Sequence, residues 1–479
     1  MKENVAKLPS PWVSAIPLVV LTLLLYVVIR AFGGGAIDGG SQIALLSATS
    51  VCVMLSIGLY RCRWSVLEEA IIENIRASAS AILILLLIGA IAGTWMISGV
   101  VPTLIYYGLK ILHPTFFLVA SCAICAIVSL MTGSSWTTIA TIGVALMGIG
   151  RAMGFPEGWV AGTIISGAYF GDKISLLSDT TVLASSTVGV NIFTHIRYML
   201  YTTVPSMLIA LATFTVAGLT LAHGTSTHAG LYAETLAATF RISPWLLLVP
   251  LATGILIVRK LPAIVTLFCA VVFACVAMLA AQPHLVMQVG GGAELDAMTA
   301  FRGVLTTCYG HTAIPTGVAQ LDELVATRGM AGMLNTVWLI ICAMCFGGVM
   351  TGSGMLRSLT EIFLRRVRRT FSAVASTVGA GIFFNLCTAD QYISIILSGR
   401  LFRDLYAERG LEARLLSRSV EDSATVCSVL IPWNSCGMTQ ATVLGVSTFV
   451  YMPYCIFNIV SPLMSLLVAA IGWKIKKQQ

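Results

Sequence analysis

"GAYFGDKISLLSDTT", residues 167–181, sets a dense polar run inside a strongly apolar neighbourhood. Asp172, Lys173 and Asp179 stand there beside Ser175, Ser178, Thr180 and Thr181. A carboxylate at bilayer depth costs about 2.5–3.5 kcal/mol on insertion scales, so a lipid-facing helix does not carry two acids and a lysine at this density. Such a run persists where a helix is interrupted and its backbone faces a protein-lined cavity. The Gly167 and Gly171 pair is expected to permit the unwinding.

The surroundings fit that reading. The chain has 479 residues, of which 57% are hydrophobic and 10% charged, and its mean hydropathy is +0.92. Soluble domains carry about 25% charged residues. Apolar runs recur at 12–29, 42–58, 81–105, 115–131, 198–222, 245–258, 262–281, 333–350, 371–386 and 439–473. Most reach the roughly 20 residues that a spanning helix needs. The expected fold is an all-α polytopic membrane protein. Lys2 and Lys7 precede the first run, which is too long for an export signal and reads as a retained span. Cysteines such as Cys52, Cys122, Cys125, Cys269, Cys275, Cys342 and Cys345 lie in apolar segments and read as small core residues.

The net charge of +8 reports orientation rather than nucleic-acid binding. Arg61 and Arg63, Arg259 and Lys260, the basic cluster 365–369, and Lys474, Lys476 and Lys477 flank spans and should stay cytoplasmic. The segments 33–40, 223–236 and 293–298 are poor in Lys and Arg and should face the other side. Both termini are then cytoplasmic, and the setting is a cell inner membrane.

The chain also repeats itself. "GTWMISGV" (93–100) resembles "GGVMTGSG" (347–354), "MTGSSWTT" (131–138) takes the place of "CTADQYIS" (387–394), and "GDKISLLSDTT" (171–181) that of "EDSATVCSVLIPWN" (421–434). Asp172, Ser175 and Ser178 share an acid-hydroxyl spacing with Asp422, Thr425 and Ser428. Span 81–99 follows a basic loop, whereas span 333–352 precedes one, so the halves have opposite topology. Two inverted-topology repeats with re-entrant hairpins and interrupted helices point to a secondary transporter with its site near the midplane. The domain order is 1–80 N-terminal spans and an amphipathic linker, 81–222 first repeat, 223–332 connecting loops and spans, 333–473 second repeat and 474–479 tail.

Hard cations such as Na+ take oxygen ligands from carboxylates, hydroxyls and free carbonyls. The cation- and proton-binding candidates are therefore Asp172, Asp179, Asp390, Asp422 and Glu421. Thr132, Gly133, Ser134 and Ser135 form one hairpin tip, and Thr388 and Ala389 the other. Ser175, Ser178, Thr180, Thr181, Thr425, Ser428, Asn434 and Ser435 are broken-helix ligands. No transition metal and no cofactor is expected. Some features also have plain structural readings: Lys173 neutralising Asp172 or Asp179, Glu421 pairing with Arg418, Ser134 and Ser135 as close-packing contacts, Trp136 and Trp433 as packing residues, and His195 at an interface.

At these residues the sequence resembles the NhaC family of Na+/H+ antiporters, within the ion-transporter superfamily. The resemblance rests on "GAYFGDKISLLSDTTVLAS" (167–185), "TGSSWTTIATIGVALMGIG" (132–150), "TADQYISIILSGRLF" (388–402), "LSRSVEDSATVCSVLIPWNSCG" (416–437) and "HIRYMLYTTVPS" (195–206). It implies scaffold and transport domains, two re-entrant hairpins, elevator-like alternating access and a homodimer. It also implies one ion site from Thr132–Ser135 with Asp172–Thr181, and a mirror site from Thr388–Asp390 with Glu421–Ser428. The family's usual proline, asparagine and proline are replaced here by Leu176, Val182 and Val429.

The expected function is exchange of Na+ for H+ by alternating access. The alternative is a Na+- or H+-coupled carrier or exchanger of a small organic anion of the malate or lactate type, or of an amino acid. Enzyme chemistry is not expected: the chain lacks a His-Glu-x-x-His pattern and an Asp-Asp-x-x-Asp pattern, and no Tyr-Asp pair of an intramembrane aspartyl protease occurs. Paired inverted breaks favour a transporter over a channel.

Overall fold

The computed structural model describes residues 8–32, 38–221, 226–259, 261–365, 367 and 369–475. The expectations that rest on Lys2, Lys7, residues 33–37 and 223–225, Lys260, Arg366, Arg368, Lys476 and Lys477 lie outside the described residues. Among the described residues the chain is nearly all helical, and its one β-bridge joins Thr312 to Thr327. Eight of these helices are long and apolar enough to cross a membrane, or up to ten if two bent pairs are each one span. Helices answer the apolar solvent because each satisfies its own backbone groups.

Several apolar runs divide differently from their hydropathy. The run 81–105 is shared between a 34-residue helix, Trp64–Ile97, which begins well before it, and Val100–Ile111, with Ser98 and Gly99 between the two. Glu68, Glu69, Glu73 and Arg76 lie in its first half, so position 80 falls inside a continuous helix. The last run, 439–473, is cut after Ser435–Leu444 by Gly445 in the left-handed region, and the chain resumes as Thr448–Tyr451, a 3-10 turn at Met452–Tyr454 and then Ile456–Ile471. Hydropathy averages across such turns and cannot see them.

The chain breaks recur in a fixed series. Gly99 and Gly354 have positive φ after a long helix, and Gly133 and Ala389 do so at a hairpin tip. Ser178 and Asn434 are N-caps of the short helices Asp179–Val188 and Ser435–Leu444, which end at left-handed Gly189 and Gly445. Members of each pair stand 255 or 256 positions apart (354 and 99, 389 and 133, 434 and 178, 445 and 189). This register corrects the motif alignment: Asp172 falls opposite Ser428, and Asp422 falls opposite Ser166. Short acid-hydroxyl spacings recur by chance in polar segments, whereas caps are demanded by orphaned backbone groups at each helix end.

Gly167 and Gly171 do not unwind the chain. Both lie within the helix Glu157–Ile174, which packs closely along Pro114–Thr132. A Cβ at Gly167 would lie 2.1 Å from the Cys122 carbonyl oxygen, and one at Gly171 2.2 Å from that of Ala126. The glycines let two backbones touch, as small residues do between membrane helices. The break itself begins at Ser175.

Candidate functional site: hairpin tips against broken helices

The first hairpin descends as Pro114–Thr132, turns at Gly133 (φ 67°) and returns through Ser135–Thr138 and a π turn, Ile139–Gly143. Gly133 is required here, because a Cβ would lie 2.5 Å from Leu177 Cβ in the break of the neighbouring helix. Tip and break are thereby pressed together. Ser134 caps the returning arm by accepting from the Thr137 amide at 3.2 Å. Next to it, the Ser135 amide and hydroxyl both donate to Asp172 Oδ2, at 3.0 and 2.7 Å.

The break around Ser175–Ser178 is largely self-satisfied. Ser175 Oγ donates to the Leu130 carbonyl at 2.8 Å, and Thr181 Oγ1 to that of Lys173 at 3.0 Å. Ser178 caps the second segment, accepting from the Thr181 amide at 3.3 Å. Thr132 Oγ1 meets Thr138 Oγ1 at 3.2 Å inside its own hairpin. Several hydroxyls expected as ion ligands are thus committed to backbone or to each other. Asp172, Asp179, Thr132, Gly133, Ser134, Thr137 and Thr180 do share the wall of one cavity of about 560 Å³. Asp172 is buried, while Asp179 is exposed.

The second hairpin repeats the backbone device with a different outcome. Thr370–Thr388 turns at Ala389 (φ 57°), and Asp390 caps Gln391–Glu408 by accepting from the Ile393 amide at 3.0 Å. Asp390 Oδ2 accepts from Ser435 Oγ at 3.3 Å and from Ser78 Oγ at 3.4 Å. The Ser435 amide reaches the Ala389 carbonyl at 2.8 Å, so tip and break touch here as well. Thr388 Oγ1 donates to the Phe384 carbonyl at 2.9 Å, and Ser428 Oγ to that of Thr425 at 2.6 Å. Asn434 Nδ2 donates to Asn385 Oδ1 at 3.1 Å.

Glu421 and Asp422 do not sit in unwound backbone. They open a π turn, Glu421–Thr425, continuous with Ala413–Val420, and the chain loses its regular helix only afterwards, before Asn434. Asp422 ion-pairs with Lys173, and its Oδ1 also accepts from Thr202 at 3.1 Å and Ser461 at 3.3 Å. Lys173 donates to Ser461 Oγ at 2.9 Å. Lys173 therefore neutralises neither Asp172 nor Asp179, but an acid 249 positions away in the other half. Arg418 likewise lies nearer to Asp422 (3.9 Å) than to its expected partner, and its guanidinium stacks on Tyr198 at 4.8 Å. Both Glu421 oxygens are buried without a hydrogen bond. His195 is buried, with Nδ1 at 2.8 Å from Ser417 Oγ. Trp433 donates to the Leu386 carbonyl at 2.9 Å, and Trp136 is buried in the core.

A second cavity, of about 550 Å³, takes in Pro432 and Trp433 but not Asp390, Glu421 or Asp422. Sequence reasoning missed Ser78, Thr202 and Ser461 as partners of the acids. Thr202 lies in a quoted motif, Ser78 lies in the stretch 76–80 just ahead of an apolar run, and Ser461 lies inside the last apolar run, where serine ordinarily bonds its own helix.

Buried acids held at touching hairpin tips and helix breaks, within a bundle of apolar helices, define a polytopic membrane transporter. The Na+/H+ antiporter family matches residues 167–473. The Na+/H+ antiporter NhaC of Alkalihalophilus pseudofirmus is 36% identical over 90% of each chain. The malate-2H+/Na+-lactate antiporter of Bacillus subtilis is 36% identical, over 86% of this chain and 85% of that one. The Na+/H+ antiporter NhaC of the same organism is 34% identical, over 85% and 87%. The chain belongs to the Na+/H+ antiporter family, and it is a transporter rather than an enzyme.

Proposed function

We propose that the protein exchanges Na+ for H+ across a cytoplasmic membrane by alternating access, with Asp172 as the principal cation ligand. One observation carries this reading: Asp172 is a buried carboxylate, pinned to a hairpin tip by two Ser135 donors, at the wall of a cavity. Na+ binds only a deprotonated carboxylate, while burial disfavours the unaccompanied charge. Cation and proton therefore compete, and exposure of the site to each face in turn converts competition into exchange. The recurring caps in the two halves support two repeats, and opposite insertion would provide the two arrangements that alternating access needs. Asp390 and Asp422 belong to the second half of this machinery, held by protein donors in the present state. Cytoplasmic termini and a homodimer complete the reading.

Reconstituted protein should take up labelled Na+ when the vesicle interior is acidic, and should release protons on Na+ addition with no organic solute present. Absence of Na+-dependent proton movement at several pH values would remove the proposal. The second reading, a carrier coupled to Na+ or H+ for an organic anion or amino acid, is favoured by the relative named for malate and lactate exchange. Uptake of labelled organic solute driven by a Na+ gradient separates the two.

A further inference from the structure

A cavity of about 560 Å³ has the size of a small-molecule site, typically about 300–1,000 Å³, and far exceeds what one dehydrated Na+ occupies. Its chemistry is one-sided. Two carboxylates, Asp172 and Asp179, reach it, and among the described residues no lysine or arginine lines it. Two aromatic side chains, Trp136 and Tyr392, form part of the wall, and aromatic faces beside carboxylates are the surroundings that recognise organic ammonium groups. Thr266 adds an independent sign of a ligand: the residue is 1% exposed and lines the same cavity, and its hydroxyl makes no hydrogen bond. A buried hydroxyl left unpaired costs about 1–3 kcal/mol, which a hydroxyl- or amine-bearing solute would relieve.

We infer that this cavity binds a small organic ammonium ion, its amine on Asp172 and Asp179 against Trp136 and Tyr392 and its polar end toward Thr266, in competition with Na+. The inference rests on Asp172 being the cation site, and a free organic anion would meet the carboxylates of Asp172 and Asp179 there.

The test uses purified full-length protein with bound radioactive Na+, challenged at constant ionic strength with methylammonium, ethanolamine or putrescine, and with acetate, lactate or malate. An amine should displace Na+ at a concentration at least about tenfold lower than any of the carboxylates. Tyr392→Leu and, separately, Trp136→Leu should lower the ratio of amine affinity to Na+ affinity about tenfold. Thermal stabilisation by the amines reads their binding without Na+. If no amine displaces Na+ at hundredfold excess, or if carboxylates compete equally well, the cavity is a water-filled access route and the inference falls. Wild-type protein that binds no Na+ but is stabilised by amines would overturn the sodium reading and the competition with it, leaving amine binding alone.

Discussion

The two hairpin-and-break units share one backbone plan and use their acids differently. In the first, Asp172 takes Ser135 donors on one oxygen and lies at a cavity that also reaches Asp179. In the second, Asp390 is closed in by the Ile393 amide, Ser78 and Ser435, and Asp422 by Lys173, Thr202 and Ser461. A left-handed turn and an N-cap can be repeated with almost any neighbours, because they serve the backbone. Whether an acid is free to hold a solute depends on which side chains from elsewhere reach it. Similar geometry therefore does not mean two equivalent ion sites.

The largest effect should come from the open side. Asp172→Asn should reduce coupled exchange in proteoliposomes on the order of a hundredfold or more, because a neutral amide cannot balance a buried cation. Its elution profile in detergent should match wild type. Wild-type exchange by this variant would move the site to the second half. Acidification should weaken Na+ binding, since protons occupy the carboxylate that the ion requires, and labelled-Na+ binding across a pH series measures it.

On the closed side, Lys173→Met takes from the buried Asp422 its nearer cation and leaves only Arg418, at 3.9 Å. Removing one partner of such a pair costs about 3–5 kcal/mol, to be read as lost thermal stability, and Lys173→Met with Asp422→Asn should recover part of it, since Arg418 then loses its acid. Failure of that rescue would show that Lys173 does more than balance Asp422.

Gly171→Ala should cost about 1–3 kcal/mol by overpacking the contact with Ala126. Asn434→Ala, which removes the N-cap donated to by the Cys436 amide at 3.0 Å, should cost about 1 kcal/mol. The smallest effect belongs to Val182→Asn. Val182 is 45% exposed, and surface changes away from special features usually stay within about 0.5 kcal/mol. A large gain in Na+ affinity from Val182→Asn would instead make that side chain part of the first site.

Much of this was legible beforehand. Tips at Thr132–Ser135 and Thr388–Asp390, and the break after Asp172, follow from hydroxyls, glycine and acids that interrupt apolar runs, since lipid permits such runs only against protein. The partners of Lys173 and Arg418 were not legible. A charged side chain reads locally as the partner of its nearest opposite charge in sequence, yet here folding brings Asp422 closer.

The sequence by itself determined that the chain is a bundle of membrane helices, that polar breaks sit at two depths of the chain, and that it resembles an antiporter family. It did so because composition and periodicity are properties of segments, and each segment must satisfy its own backbone in lipid. Only the tertiary structure decided that Gly167 and Gly171 serve helix contact rather than unwinding, that Asp422 is taken by Lys173, and that Asp172 and Asp179 share a cavity. Those outcomes depend on distances between residues far apart in the chain, fixed by packing of the whole bundle and carried by no single segment.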